Sequence, residues 1–160
     1  MMEKIMTLGG SYYPELKMGL RKEGDLYEAC DFFDKGVYFR GVADLVVVSE
    51  SGDQAKVYDY KTNKNSRYAK PDQLALMAAC VFAKFPAVQR IEASLLFIIA
   101  GDVVTEVYTR DSAFEIFDTL GHLVARREAS YESGVFNANP NGLCAQYCGV
   151  VSCPHNGKRR

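Results

Sequence analysis

No apolar run in the 160-residue sequence approaches the length of a membrane span, and the opening MMEKIMTLGG lacks the long apolar core of a secretion signal. Charge of one sign is also missing. Lys and Arg number 19 against 20 Asp and Glu, so no general basic field marks a nucleic-acid or membrane partner, and any polyanion contact has to be local. There is no internal repeat and no linker-like stretch. These absences leave an expected cytoplasmic location and no membrane partner. With 48% of its residues apolar, the chain is long enough for one core and short for two.

The patterns then divide the chain. ELKMGLR alternates polar and apolar residues as a half-buried first strand does, and VYFRGVADLVVV and AKVYDYKT, rich in β-branched and aromatic residues around ESGDQ, read as a hairpin. NKNSRYAKP is a polar, basic loop. Pro71 followed by DQLALMAACVFAKF opens a helix. EASLLFIIA is a nearly continuous apolar run, turned by Gly101-Asp102 into the alternating VVTEVYTR: a buried central strand and its antiparallel neighbour. DSAFEIFDTLGHLVARREASYE, with Asp111 or Ser112 as N-cap, is a last helix. The expected architecture is α/β, a central mixed sheet flanked by helices, with residues 1–134 as the core and 135–160 as a cysteine-rich tail of the same domain.

Asp44 and Asp59 interrupt strands that would otherwise be apolar. Asp59 and Lys61 are two apart on a strand and share a face, and the hairpin can bring Asp44 to the same end. Two carboxylates in so small a volume repel unless one takes a proton or a cation joins them. A magnesium or manganese ion resolves the conflict, since hard divalent ions take oxygen ligands and leave positions for water and phosphate. Lys61 beside it can stabilise charge developing on phosphorus, which is phosphodiester hydrolysis chemistry. A D-x-K triplet alone carries little weight: ELK at Glu15 to Lys17 competes with it, and Asp59 with Lys61 also reads as a surface ion pair.

GVAD, then VYDYKT, then Gln73 at the head of a helix resembles the PD-(D/E)XK nuclease superfamily, in particular its RecB-like and CRISPR-adaptation exonucleases and their phage relatives. The resemblance spans roughly Glu15 to Asn156. It implies a restriction-endonuclease-like core, a Mg2+- or Mn2+-dependent deoxyribonuclease, and exonuclease action on DNA ends or single strands in a bacterial or phage-infected cell. By it Asp44, Asp59 and the backbone carbonyl of Tyr60 ligate the metal, with Glu15 as a weaker acidic addition. Lys61 is the catalytic lysine, and Gln73 orients the site. This chain departs from the pattern at Met77, where relatives often carry a tyrosine. A leading segment with a histidine and a first cluster cysteine is not part of this sequence, so a protein partner is expected to complete it. The rival readings are a weak nuclease-fold DNA-binding module needing that partner and a zinc-stabilised interaction protein.

Five cysteines, an odd number, suit a disulfide framework poorly, and three crowd into CAQYCGVVSCPH. Cys144, Cys148, Cys153 and His155 can supply four soft ligands to zinc. The resemblance instead implies an iron-sulfur cluster, with Cys30 as the alternative fourth ligand. Cys80, on an apolar helix face, reads as a core residue, and His122 as a surface histidine. For DNA, Lys64, Arg67 and Lys70 with Tyr68 form a basic loop with one stacking aromatic, and the terminal Lys-Arg-Arg can add phosphate contacts. No motif for reading base sequence accompanies them, so binding without sequence specificity is expected.

Overall fold

The computed structural model describes residues 9–24, 26–64 and 66–157, without the side chains of Tyr68 and Pro71. The chain falls into two units, residues up to Leu120 and residues from Gly121 onward.

The first unit is built on a sheet of six strands among the described residues: β1 (Ser11–Glu23), β2 (Leu26–Cys30), β3 (Val37–Val48), β4 (Gln54–Lys61), β5 (Arg90–Phe97) and β6 (Asp102–Thr109), in spatial order β2-β1-β3-β4-β5-β6. All neighbours are antiparallel except β4 and β5. A parallel pair needs a crossover, and helix α1 (Pro71–Lys84) supplies it. The expected mixed sheet with flanking helices is thus the observed one. The short strand β2 had no counterpart in the sequence reading.

Strand chemistry follows the residues. Gly52, at φ +76°, turns the β3–β4 hairpin, and its amide donates to the Ser49 carbonyl at 2.9 Å. β5 ends at Phe97 rather than running to Ala100: Ile98 and Ile99 lie in the turn, 52% and 60% exposed, before Gly101 at φ +74°. The apolar run is therefore longer than the strand it feeds. The last helix, α2 (Glu115–Ser133), begins after a 3-10 turn at Arg110–Ser112, a few residues later than the caps at Asp111 or Ser112 predict.

The main core lies between the sheet and α1. Met77 to Phe82 are all buried, packed with Met18, Leu20, Val46, Val57, Ile91 and Leu95, and with Ala113 and Phe117 from the segment after β6. Burying so complete a run of one helix is the main source of stability here, at about 1.5–3 kcal/mol per large side chain. Arg110 closes the far end of α1. Its Nη2 donates to the carbonyls of Phe82 (3.1 Å), Phe85 (2.9 Å) and Val88 (2.6 Å), and its Nε to Val88 (3.0 Å), satisfying carbonyls that a helix terminus leaves without partners. Gly19 is required by close approach, because a Cβ there would sit 2.8 Å from the Asp31 carbonyl oxygen.

One irregularity shapes the site. Residues two apart on a strand share a face, so Ala43 and Val46, three apart, should not both enter one core, yet they do. Opposite them, Tyr13 and Leu16 repeat the slip. The β1–β3 ladder runs from Pro14–Leu45 to Leu16–Ala43 and omits the level of Glu15 and Asp44. Glu15 has φ +49°, a left-handed conformation uncommon for a residue with a side chain. Both strands change the side they show at the same level, and Asp44 sits at the change.

In the second unit α2 is mostly exposed from Gly121 on, and the described part of the tail is irregular apart from a 3-10 turn at Gly142–Cys144. Asn156, 5% exposed, organises it by donating through Nδ2 to the carbonyls of Cys148 (3.1 Å) and Val150 (3.0 Å). No described helix is long and apolar enough to cross a membrane.

Candidate active site

Strands β3 and β4 part at one end. Their ladder stops at Leu45–Tyr58, whereas β4 continues along β5 to Lys61–Phe97. The last three residues of β4, Asp59 to Lys61, are therefore paired on the β5 side alone. On the freed side, the Tyr60 amide donates to Asp44 Oδ2 at 2.5 Å, so a side-chain carboxylate replaces the missing ladder partner. This answers why an aspartate belongs at position 44: it receives the first backbone donor that the fork exposes.

Asp59 and Lys61 point toward α1, as their spacing predicts. Gln73 Nε2 donates to Asp59 Oδ1 at 3.0 Å, and Gln73 Oε1 accepts from Lys61 Nζ at 3.1 Å. The carboxamide gives a proton to the carboxylate through Nε2 and accepts one from the ammonium through Oε1 at the same time, which sets its orientation. Lys61 Nζ lies 2.5 Å from Asp59 Oδ2 and closes the triangle. Oδ2 is buried, with the Lys61 ammonium as its ion partner. Asp59 is only 7% exposed, an expensive place for a charge. Burial, with the Asp44 charge adding to it, raises the pKa of the Tyr60 phenol.

A buried Asp59 carboxylate held by Gln73 and Lys61, next in sequence to a Tyr60 amide held by Asp44, is a set of oxygen donors of the kind a hard divalent ion takes. Among the described residues no three His, Cys, Asp or Glu side chains gather as a ligand group, and a hard divalent ion held by fewer protein oxygens would take its remaining positions from water or phosphate, as magnesium prefers. Glu15 stands across the broken ladder from Asp44, exposed.

Beside Lys61 a cavity of about 200 Å³ is lined by Asn63, Lys70, Gln73, Leu95 and Phe97 among others. Lys64, Arg67 and Lys70 of the following loop are exposed, and Ser66 Oγ ties that loop to the sheet by donating to Asp102 Oδ2 at 2.6 Å. The Tyr68 side chain and Lys158 to Arg160, expected DNA contacts, lie outside the described residues. Met77 is 5% exposed within the core and presents nothing to a substrate.

The cysteine expectation does not assemble. Cys144, Cys148 and Cys153 are half-buried free thiols and His155 is exposed, and they form no metal-ligating group among the described residues. Cys144 Sγ instead accepts the Asn141 amide at 3.4 Å. Cys80 is a core residue, as its helix face implies, and burial pushes its thiol up to about 12. His122 is exposed.

A family model described as the PD-(D/E)XK nuclease superfamily matches residues 12–154. The chain belongs to that superfamily. The match runs from β1 into the cysteine tail and takes in the whole fork. Comparison with curated proteins finds no match. Among solved structures, this PD-(D/E)XK chain is similar to the crystal structure of SSO0001 at 10% sequence identity and a TM-score of 0.42, over 97% of this chain and 66% of that one. It thus spans just under two-thirds of that structure's length.

Sequence reasoning missed two features at this end of the molecule: the paired slip of β1 and β3, and the aromatic loop between β2 and β3. Each has a signal, the first in the three-residue spacing of apolar positions around Glu15 and Asp44, the second in the doubled phenylalanine of CDFFDKG.

Proposed function

We propose that the chain is a metal-dependent DNA nuclease of the RecB-like, CRISPR-adaptation type, acting as an exonuclease on DNA ends or single strands without sequence specificity. The observation that carries this reading is the closed Asp59–Lys61–Gln73 network at the strand fork, with Asp44 on the amide of the intervening Tyr60. Asp44, Asp59 and the Tyr60 carbonyl hold Mg2+ or Mn2+, with Glu15 as a further carboxylate within one strand of Asp44.

The bound cation supplies charge neutralisation and a water of lowered pKa. The protein's residues do the rest. Asp59 is buried, so its charge is strong in a poorly screened site, and Gln73 keeps it from turning away. Lys61, 26% exposed in its side chain, faces solvent on one side and the carboxylate on the other, the position from which an ammonium stabilises a phosphorane-like transition state. Lys64, Arg67, Tyr68 and Lys70 lead the DNA backbone toward the fork. The replacement of the usual helix aromatic by the buried Met77 favours a second reading, a module whose DNA grip is completed by a protein partner.

The test is cleavage of end-labelled linear and circular DNA, single- and double-stranded, with Mg2+ or Mn2+, by wild type, Asp59→Ala and Lys61→Ala. Release of mononucleotides from linear DNA only, lost in both variants, is the expected result. Cutting of circles reassigns the mode to endonuclease, and a folded wild type inert with both metals removes the catalytic reading.

A further inference from the structure

The β2–β3 loop carries a feature that the fork does not use. Phe33 is 73% exposed, yet its loop is tightly built: its amide donates to Asp31 Oδ1 at 2.8 Å, the Gly36 amide to Asp34 Oδ1 at 2.7 Å, and the Asp34 amide to the Asp31 carbonyl at 3.0 Å. Both loop carboxylates are thereby engaged with main-chain donors, as Asx turns arrange. Phe32 stands edge-on to Phe33, with ring centroids 5.1 Å apart. Lys17 Nζ lies 5.9 Å and 6.0 Å from the two ring centres, and the Arg40 guanidinium 5.8 Å from Phe32. These distances are at the outer limit of a cation–π contact, so the cations flank the rings without covering them.

The position is as informative as the composition. Lys17 pairs with Val42 and Arg40 with Gly19, on the stretch of β1 and β3 that runs past the last β3–β4 pair, Leu45–Tyr58. Lys17 and Arg40 are exposed while their neighbours Met18 and Gly41 face the core side, so the cations show the opposite side of the sheet. A single exposed ring is ordinary; here two rings stand together on a loop whose backbone is fixed by its own hydrogen bonds, with two cations beside them. A purely apolar protein partner has no use for cations at the rim. An unpaired base with its phosphates matches both parts, a π face for the ring and charge for Lys17 and Arg40.

We infer that Phe33, with Phe32 edge-on beside it, Lys17 near both rings and Arg40 near Phe32, is a stacking platform for an unpaired base of single-stranded nucleic acid. This deepens the nuclease reading and rests on it for the polymer that reaches the sheet. A flush duplex has no free base face to offer, so the platform discriminates single strands from duplex.

The test is fluorescence anisotropy of the full chain with labelled oligo-dT and with a blunt duplex, in EDTA, where neither metal binding nor cleavage enters. Phe33→Ala is expected to weaken oligo-dT binding roughly tenfold, leave duplex binding within twofold, and be rescued by Phe33→Trp. Lys17→Ala and Arg40→Ala are each expected to lower the salt slope by about 0.7 on the single strand. An unchanged oligo-dT affinity in Phe33→Ala, an equal loss on duplex, or no oligo-dT binding by wild type overturns the inference. Because binding is read without catalysis, a chain that binds through Phe33 but cuts nothing retains the platform and loses only the nuclease reading.

Discussion

The end of β4 and the cysteine tail both carry side chains suited to metals, and they use them in opposite ways. At the end of β4, side chains form the network: Asp59, Lys61 and Gln73 bind one another, and Asp44 takes a backbone amide. In the tail the backbone forms it. Asn156 binds the carbonyls of Cys148 and Val150, and the Gly157 amide donates to the Cys144 carbonyl at 3.0 Å, so those cysteines contribute their carbonyl oxygens while the sulfurs stay apart. The difference lies in what orients the side chains. A strand with a period of two sends Asp59 and Lys61 to one face whatever their chemistry, whereas a Gly- and Asn-rich segment has no period to aim its thiols.

The largest expected effect that would break this contrast is at Lys61. Lys61→Ala should lower kcat for DNA cleavage by at least about 10²–10³-fold, the loss associated with removing one transition-state donor, and should also lower thermal stability, because it leaves the buried Asp59 carboxylate without its ammonium partner. Steady-state kinetics beside a melting curve measures both. A tail substitution with an equal effect would erase the distinction.

Next is the scaffold that holds the fork. Arg110→Ala leaves the carbonyls at the end of α1 without their donor and should cost about 2–4 kcal/mol in chemical denaturation, far more than a typical exposed arginine. An effect under about 0.5 kcal/mol would show that those bonds are replaced by water.

Cys80 and the tail thiols should differ in chemistry as they do in surroundings. The folded state raises the Cys80 pKa by burial, so between its unfolded value and about 12 the folded chain holds the proton more firmly than the unfolded chain. That contribution is fully present below the unfolded pKa and is lost as pH rises from there through about 12, so stability should fall on the alkaline side. A thiol reagent at pH 8 should modify the half-buried Cys144, Cys148 and Cys153 well before Cys80, read by mass spectrometry of timed digests. The smallest effect expected is that of replacing all three tail cysteines by serine, with cleavage unchanged within twofold.

Sequence pattern carried far where elements are regular. The D-x-K strand, its hairpin partner and the helix opening at Pro71 stand where alternation and the proline signal put them, and the shared face of Asp59 and Lys61 follows from counting residues. Gln73 was legible as a helix-head residue, but its double role was not, because that depends on the crossover bringing α1 over the end of β4. Asp44 was expected directly beside Asp59. Its actual contact, the Tyr60 amide, arises from the fork and from the slip at Glu15, where local backbone geometry overrides the strand period. The tail was the least legible part, because the density of thiols along a sequence says nothing about their directions in space.

The most direct test of the central claim, that the fork is the metal-dependent centre, is titration of the metal-free chain with Mn2+, followed by electron paramagnetic resonance, in wild type, Asp59→Asn and the triple tail variant Cys144→Ser/Cys148→Ser/Cys153→Ser. The account predicts saturable Mn2+ binding that Asp59→Asn abolishes and the tail variant retains. Binding that survives Asp59→Asn but vanishes with the tail thiols would contradict it, and would move the chemistry from the strand end to the cysteines.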